Sequence, residues 1–181
     1  AVWADSNDRD ALFDAMLRIR GRRGGVADVE AAGLLPRAVY SNACLDSRGT
    51  PTERSAWRGR WFEGVLRDLD GCDLVFADPD NGLCLDERFR AGRCLDWKRL
   101  PKGEADTLAS GRCAVLYHHN TRFKGGHAAE IQRWLGLFPA GTLALRARSG
   151  SSRTFFVVNP SPDIETRLAQ FARDWAIARV E

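Results

Sequence analysis

Six side chains in this sequence have the types and spacing that phosphate chemistry needs: Asp78, Asp80, Asp96, Lys98, His118 and His119. Asp78 and Asp80 follow the apolar run Leu74-Val75-Phe76-Ala77, and His118-His119 follows Ala114-Val115-Leu116-Tyr117. A short apolar run that stops in polar and turn residues reads as a buried strand, so both pairs are expected at strand ends. Open α/β sheets place their ligand crevices at the carboxyl ends of strands, and neighbouring parallel strands would bring the two pairs together. Carboxylates and imidazoles in one crevice serve as divalent-metal ligands or as an acid–base pair. All three histidines, His118, His119 and His127, lie between positions 118 and 127.

A second constellation overlaps the first. Pro79-Asp80 followed by Asp96-Trp97-Lys98 has the form of a nuclease signature, Pro-Asp, then a gap, then Asp/Glu-x-Lys. In that reading Asp78, Asp80 and Asp96 hold Mg²⁺ or Mn²⁺, and Lys98 orients the attacking water or stabilises charge on the phosphate. Strand alternation over Leu95-Asp96-Trp97-Lys98 would put Asp96 and Lys98 on one face. Asn81-Gly82, directly after Asp80, also favours a turn for backbone reasons alone. Arg122, Lys124 and Gly125-Gly126 precede an expected helix whose N-terminus attracts anions. With His127 in its first turn and Asn81 beside Asp80, they form the candidate phosphate- and substrate-binding set.

The elements that must position these residues follow from periodicity. Val2–Ala4 reads as a first short strand. The segment from Ser6 or Asp8 to Arg20 reads as an amphipathic helix carrying Leu12, Phe13, Met16 and Leu17; the basic loop 21–25 ends it. Val26–Gly33 reads as a short helix and Ala38–Leu45 as a second strand. Thr50-Pro51-Thr52-Glu53 opens a helix running to Leu69, with a Thr cap, Pro first inside and Glu three residues on. Its Trp57, Trp61, Val65 and Leu69 are expected inside, and its Arg54, Arg58 and Arg67 in solvent. Positions 83–103 are polar and irregular, a connection long enough to be functional, with a further strand at Cys94–Lys98. Ile131, Trp134, Leu135 and Phe138 mark a buried helix face. Thr142–Arg148 and Arg153–Asn159 alternate as a hairpin, and Ser161-Pro162 starts the last helix. This order predicts one α/β domain over residues 1–181, with a three-layer Rossmann-like, mainly parallel sheet and a C-terminal antiparallel hairpin.

Composition sets bounds. The chain has 181 residues, 44% hydrophobic and 28% charged, with a net charge of +3. That balance fits a globular protein, and it permits a nucleic-acid or other phosphorylated partner without requiring one. Cys44, Cys72, Cys84, Cys94 and Cys113 are odd in number and contain no Cys-x-x-Cys pair, which argues against zinc ribbons and disulfide frameworks and for buried thiols in a reducing cytoplasm. No run reaches the roughly 18 apolar residues of a membrane span. The start at Ala1-Val2-Trp3-Ala4, with no Met, reads as a trimmed one.

Several motifs carry resemblances. Asp78-Pro79-Asp80-Asn81-Gly82, Tyr117-His118-His119-Asn120-Thr121-Arg122, Gly125-Gly126-His127 and Arg153-Thr154-Phe155-Phe156 resemble those of an uncharacterised family of bacterial and phage proteins. The likeness covers the chain from about Leu34 and implies no particular activity. At the level of fold, the arrangement resembles the C-terminal half of class I methyltransferase-like Rossmann proteins, in which a strand ends in Asp-Pro-Pro-Tyr. That resemblance implies S-adenosylmethionine as cofactor, with Asp78 meeting the amine to be methylated. Asp80-Asn81 departs from the Pro-aromatic pair of that motif, and no Gly-x-Gly loop follows an early strand.

The leading expectation is a metal-dependent phosphodiesterase or nuclease acting on nucleic acid. Asp78, Asp80 and Asp96 would hold the metal, His118 or His119 would be a ligand or base, and Lys98 and Arg122 would neutralise phosphate. A methyltransferase-like enzyme is the alternative, and a non-catalytic binding protein on the same scaffold is the third.

Overall fold

The computed structural model describes residues 26–147, 152–174 and 178–180. The strand expected at Val2–Ala4 and the helix expected before Arg20 lie outside them. The first described helix, α1 (Val26–Ala31), leads into an extended strap over residues 38–45. That strap is not the expected second strand. It lies along the next helix, where Trp61 Nε1 donates to the Ala43 carbonyl at 2.6 Å and Ser41 Oγ donates to Asp68 at 2.7 Å.

Helix α2 (Pro51–Asp68) begins as its sequence dictates. The Glu53 N–H donates to Thr50 Oγ1 at 3.3 Å, and the Thr50 N–H donates to Glu53 Oε2 at 2.7 Å, so two of the helix's orphan donors are satisfied reciprocally. Phe62, Val65, Leu66 and Leu69 face the core. The buried residue of α2 is Arg58, expected as a solvated charge but only 3% exposed. Its guanidinium lies 4.5 Å from the Trp61 ring centroid and bonds Glu104 at 2.5 Å. An aromatic wall and a carboxylate partner are the conditions under which a buried Arg is tolerated.

The remaining elements are β1 (Leu74–Ala77), β2 (Leu83–Cys84), β3 (Leu100–Pro101), α3 (Lys102–Leu108), β4 (Cys113–His119), α4 (Gly126–Leu135), β5 (Leu143–Ala147), β6 (Arg153–Val158), α5 (Pro162–Asp174) and β7 (Ala178–Val180). Among the described residues, five strands form one sheet in the order β1-β4-β6-β5-β7, and β2 pairs with β3 in a small parallel ladder.

The expected Rossmann-like, mainly parallel architecture is thereby corrected. Among the described strands of the main sheet β1/β4 is the one parallel pair, while β4/β6, β5/β6 and β5/β7 are antiparallel. The reason is where β6 goes. It turns back from β5 and takes the place beside β4, so β5 never becomes the parallel neighbour that its helical crossover would allow.

One face of the sheet presents Val75, Ala114, Leu116, Phe156, Val158 and Ala144 to the core, where α3 contributes Ala105 and Leu108 and α4 contributes Ile131 and Trp134. Among the described residues no helix is long and apolar enough to cross a membrane. Cys84 and Cys113 are buried and Cys72 partly so, but Cys44 and Cys94 are exposed, contrary to the expectation of buried thiols.

Thr50→Ala removes the acceptor that starts α2. Urea unfolding is expected to show a loss of about 1 kcal/mol with an unchanged m-value.

Candidate functional site at the ends of β1 and β4

The parallel register runs from Leu74↔Cys113 to Ala77↔Leu116, so the chain leaves β1 alongside Tyr117 and His118. A turn follows, closed by the Gly82 N–H on the Pro79 carbonyl at 2.8 Å. The Asn81 N–H donates to the Lys98 carbonyl at 2.7 Å, and the Leu100 N–H donates to the Gly82 carbonyl at 3.0 Å. Gly82 has φ +70°, and a Cβ there would fall 2.6 Å from the His119 nitrogen and 2.8 Å from His118 Nδ1. Only glycine allows this close crossing. The two polar strand ends therefore meet, as parallel neighbours must.

The histidine pair divides into two roles. His118 is 2% exposed. Its Nδ1 accepts the Leu83 N–H at 3.1 Å, so the neutral ring carries its proton on Nε2, which faces Glu130 Oε1 at 3.3 Å. Glu130 also receives the Thr121 N–H at 2.9 Å and the Thr121 hydroxyl at 2.6 Å. Asn120 joins the network through Thr154 Oγ1, 2.8 Å from its Oδ1. Burial pushes the His118 pKa down, and that outweighs the upward pull of Glu130. Burial pushes Glu130 up, but the hydrogen bonds from Thr121 and His118 more than offset it, and the net direction is down. His118 thus holds strand ends in place. His119 is exposed, with Nδ1 3.2 Å from the Tyr117 hydroxyl.

Asp78 is exposed at the end of β1. Partial desolvation and the neighbouring Asp80 raise its pKa, and the Arg153 guanidinium pulls it back in part. Asp80 pairs with Lys98 Nζ at 3.2 Å in an exposed ion pair, so Lys98 reaches the carboxylate that the signature assigned to it. Asp96 does not. The expected strand at Cys94–Lys98 is a single 3₁₀ turn over Asp96–Lys98, and with about three residues per turn it points side chains two apart in different directions, where a strand would put them on one face. Asp96 is 6% exposed and faces inward, its Oδ2 accepting the Arg90 N–H at 3.1 Å. It stabilises its own loop instead of completing a ligand set with Asp78 and Asp80.

Arg122 and Lys124 are exposed on the connection from β4 to α4. His127, in the first turn of α4, accepts from Arg146 Nη2 at 3.1 Å. Asn81 contributes its backbone to the turn and leaves its side chain exposed. Among the described residues no group of three or more His, Cys, Asp or Glu side chains is arranged to hold a metal ion. The carboxylate pair Asp78/Asp80 is what remains available to a cation.

Sequence reasoning missed Arg153 near Asp78 and the anchoring role of Glu130. Alternation along Arg153-Thr154-Phe155-Phe156 puts Arg153 and Phe155 on one face, but which strand they lie against depends on a register that nothing local sets. Compared with protein families, with curated proteins and with solved structures, the chain finds no match.

Both His118 and Glu130 have lowered pKa values in the fold, so the unfolded chain binds more protons than the folded one as pH falls. Stability is then fully present above the unfolded histidine value and declines on acidification. Urea unfolding at pH 7.5 and 5.5 should show the lower midpoint at pH 5.5. Glu130→Gln should cost about 1–3 kcal/mol at pH 7.5, and because it removes the upward pull on His118, the loss of stability between pH 7.5 and 5.5 should be at least as large as in the parent chain.

Proposed function

We propose that the chain acts on phosphodiesters of nucleic acid at the carboxyl ends of β1 and β4, with Mg²⁺ or Mn²⁺ bound between Asp78 and Asp80. The observation that carries this reading is the accessible carboxylate pair. Partial burial and then the neighbouring Asp80 raise the pKa of Asp78, and a bound cation relieves the second of these. Mg²⁺ commonly binds through one or two protein carboxylates and takes its remaining ligands from water and substrate phosphate, so the pair suffices without Asp96. When bound, such an ion polarises the phosphoryl group and supplies a nucleophilic water.

The chain's own residues have distinct tasks in this reading. Lys98, 3.2 Å from Asp80, orients that carboxylate and offsets part of its charge. His119 has Nδ1 engaged by Tyr117, which leaves Nε2 to take or give a proton. Arg153, paired across the ladder with His119, is the cation placed to neutralise a phosphate beside Asp78. His118, sealed in the core, exchanges no proton with substrate.

Calorimetric titration with Mg²⁺ and Mn²⁺, alongside cleavage of labelled DNA and RNA, tests this directly. Asp78→Asn and Asp80→Asn should each abolish measurable metal binding and lower cleavage at least about 100-fold. Asp96→Ala should cost about 1–3 kcal/mol of stability while leaving metal affinity unchanged. Absence of binding heat with both cations would end the phosphodiesterase reading. A thermal shift with S-adenosylmethionine and none with either cation would put the methyltransferase alternative in its place.

A further inference from the structure

The sheet face turned away from the core carries an aromatic patch that neither the core nor the carboxylate pair uses. Phe76 of β1, Tyr117 of β4 and Phe155 of β6 come from three neighbouring strands. The Phe76 and Phe155 rings stack with centroids 6.4 Å apart and planes at 28°, and Tyr117 meets Phe155 edge-on at 5.6 Å. Phe76 is 56% exposed and Leu74, on the same face, 46%. Phe76 is exposed with the half-buried Tyr117 and Phe155 beside it, and an aromatic patch that reaches solvent in this way marks a binding surface.

The surroundings select the ligand. Arg153 lies on the same face of β6 as Phe155 and opposite His119, at the end of the patch next to Asp78. Arg122 and Lys124 are exposed on the loop that leaves β4. Rings on a sheet with cations at one rim complement a strand whose bases are apolar faces and whose backbone is anionic. Duplex bases are stacked inside and cannot reach such rings, whereas unpaired bases stack on exposed aromatic side chains of sheets.

We infer that this patch is a base-stacking platform for single-stranded nucleic acid. Bases rest on Phe76 and Phe155, and the backbone runs past Arg153 toward Asp78 and Asp80. The inference builds on the phosphodiester reading of the carboxylate pair and narrows its substrate to unpaired strands.

The test is fluorescence anisotropy of labelled oligo(dT), oligo(U) and a duplex of equal length with the full chain, in EDTA so that binding is read without cleavage. The single strands should bind at least about tenfold more tightly than the duplex, and Phe76→Ala and Phe155→Ala should each weaken them about 5- to 100-fold. Phe76→Leu separates stacking from simple apolar contact, because it keeps an apolar side chain and removes the ring. Loss of affinity in that variant, with an unchanged circular dichroism spectrum, supports the platform, and full retention overturns it. Equal affinity for duplex and single strand also overturns it, as does sedimentation showing that Phe76 mediates self-association. Hydrolysis of a small aryl phosphodiester with Mg²⁺ but no oligonucleotide binding would refute the platform and leave the carboxylate reading standing. Single-strand binding without any hydrolysis would do the reverse.

Discussion

The candidate site depends on one buried ring. His118 accepts from the Leu83 backbone on one side and donates to Glu130 on the other. Few other side chains accept and donate in opposite directions within one rigid plane. Through that ring the turn after β1, the end of β4 and the first half of α4 are fixed to one another. The Asn120–Thr154 bond extends the same network into β6. In surroundings of low dielectric, a fully satisfied network of this kind favours one arrangement over all others. The exposed carboxylates are positioned precisely because the groups beneath them are not exposed.

Part of this was legible in the sequence. The capping of α2, the apolar runs of β1 and β4, the pairing of β5 with β6 and the polar character of both strand ends follow from local composition and alternation. What escaped was whatever depends on a partner distant in the chain. Arg58 looks like any helix-surface arginine until Trp61, Phe89 and Glu104 close around it. His118 and His119 are adjacent and identical in type, and the pleat alone sends one into the core and the other into solvent. Leu95-Asp96-Trp97-Lys98 alternates apolar and charged residues as a strand would, which puts Asp96 and Lys98 on one face in the sequence. Backbone bonds from Arg99 to Asp96 and from Asp96 to Arg93 made it a turn. The parallel sheet failed for the same reason, since the position of β6 is decided by long-range pairing and leaves no local signature.

The irregular stretch between β2 and β3 is better held than its lack of secondary structure implies. Trp97 stacks on Trp57 with centroids 6.3 Å apart and donates to the Ala91 carbonyl at 2.5 Å. Arg54 donates to the Gly92 carbonyl at 2.9 Å. Asp86 accepts the Gly103 N–H at 3.0 Å, tying the start of α3 to the loop. Lys98 therefore meets Asp80 from a braced loop, and helix α2, remote from the strand ends, is part of what braces it.

The placement of β6 also governs how the chain acquires its fold. The strand joining the two halves of the sheet is among the last to be made: β1 and β4 precede it by many residues, and β5 has no ladder to β4 without it. A chain emerging from the ribosome can form helix α2 and the β1/β4 pair early. Its sheet must wait until residues 153–158 are free to enter between strands already synthesised. Such late, non-local pairing slows folding and leaves apolar strand edges uncovered in the interval. The central strand thus acts as a keystone, and until it is set the Asp78 and His119 ends belong to a half-built sheet.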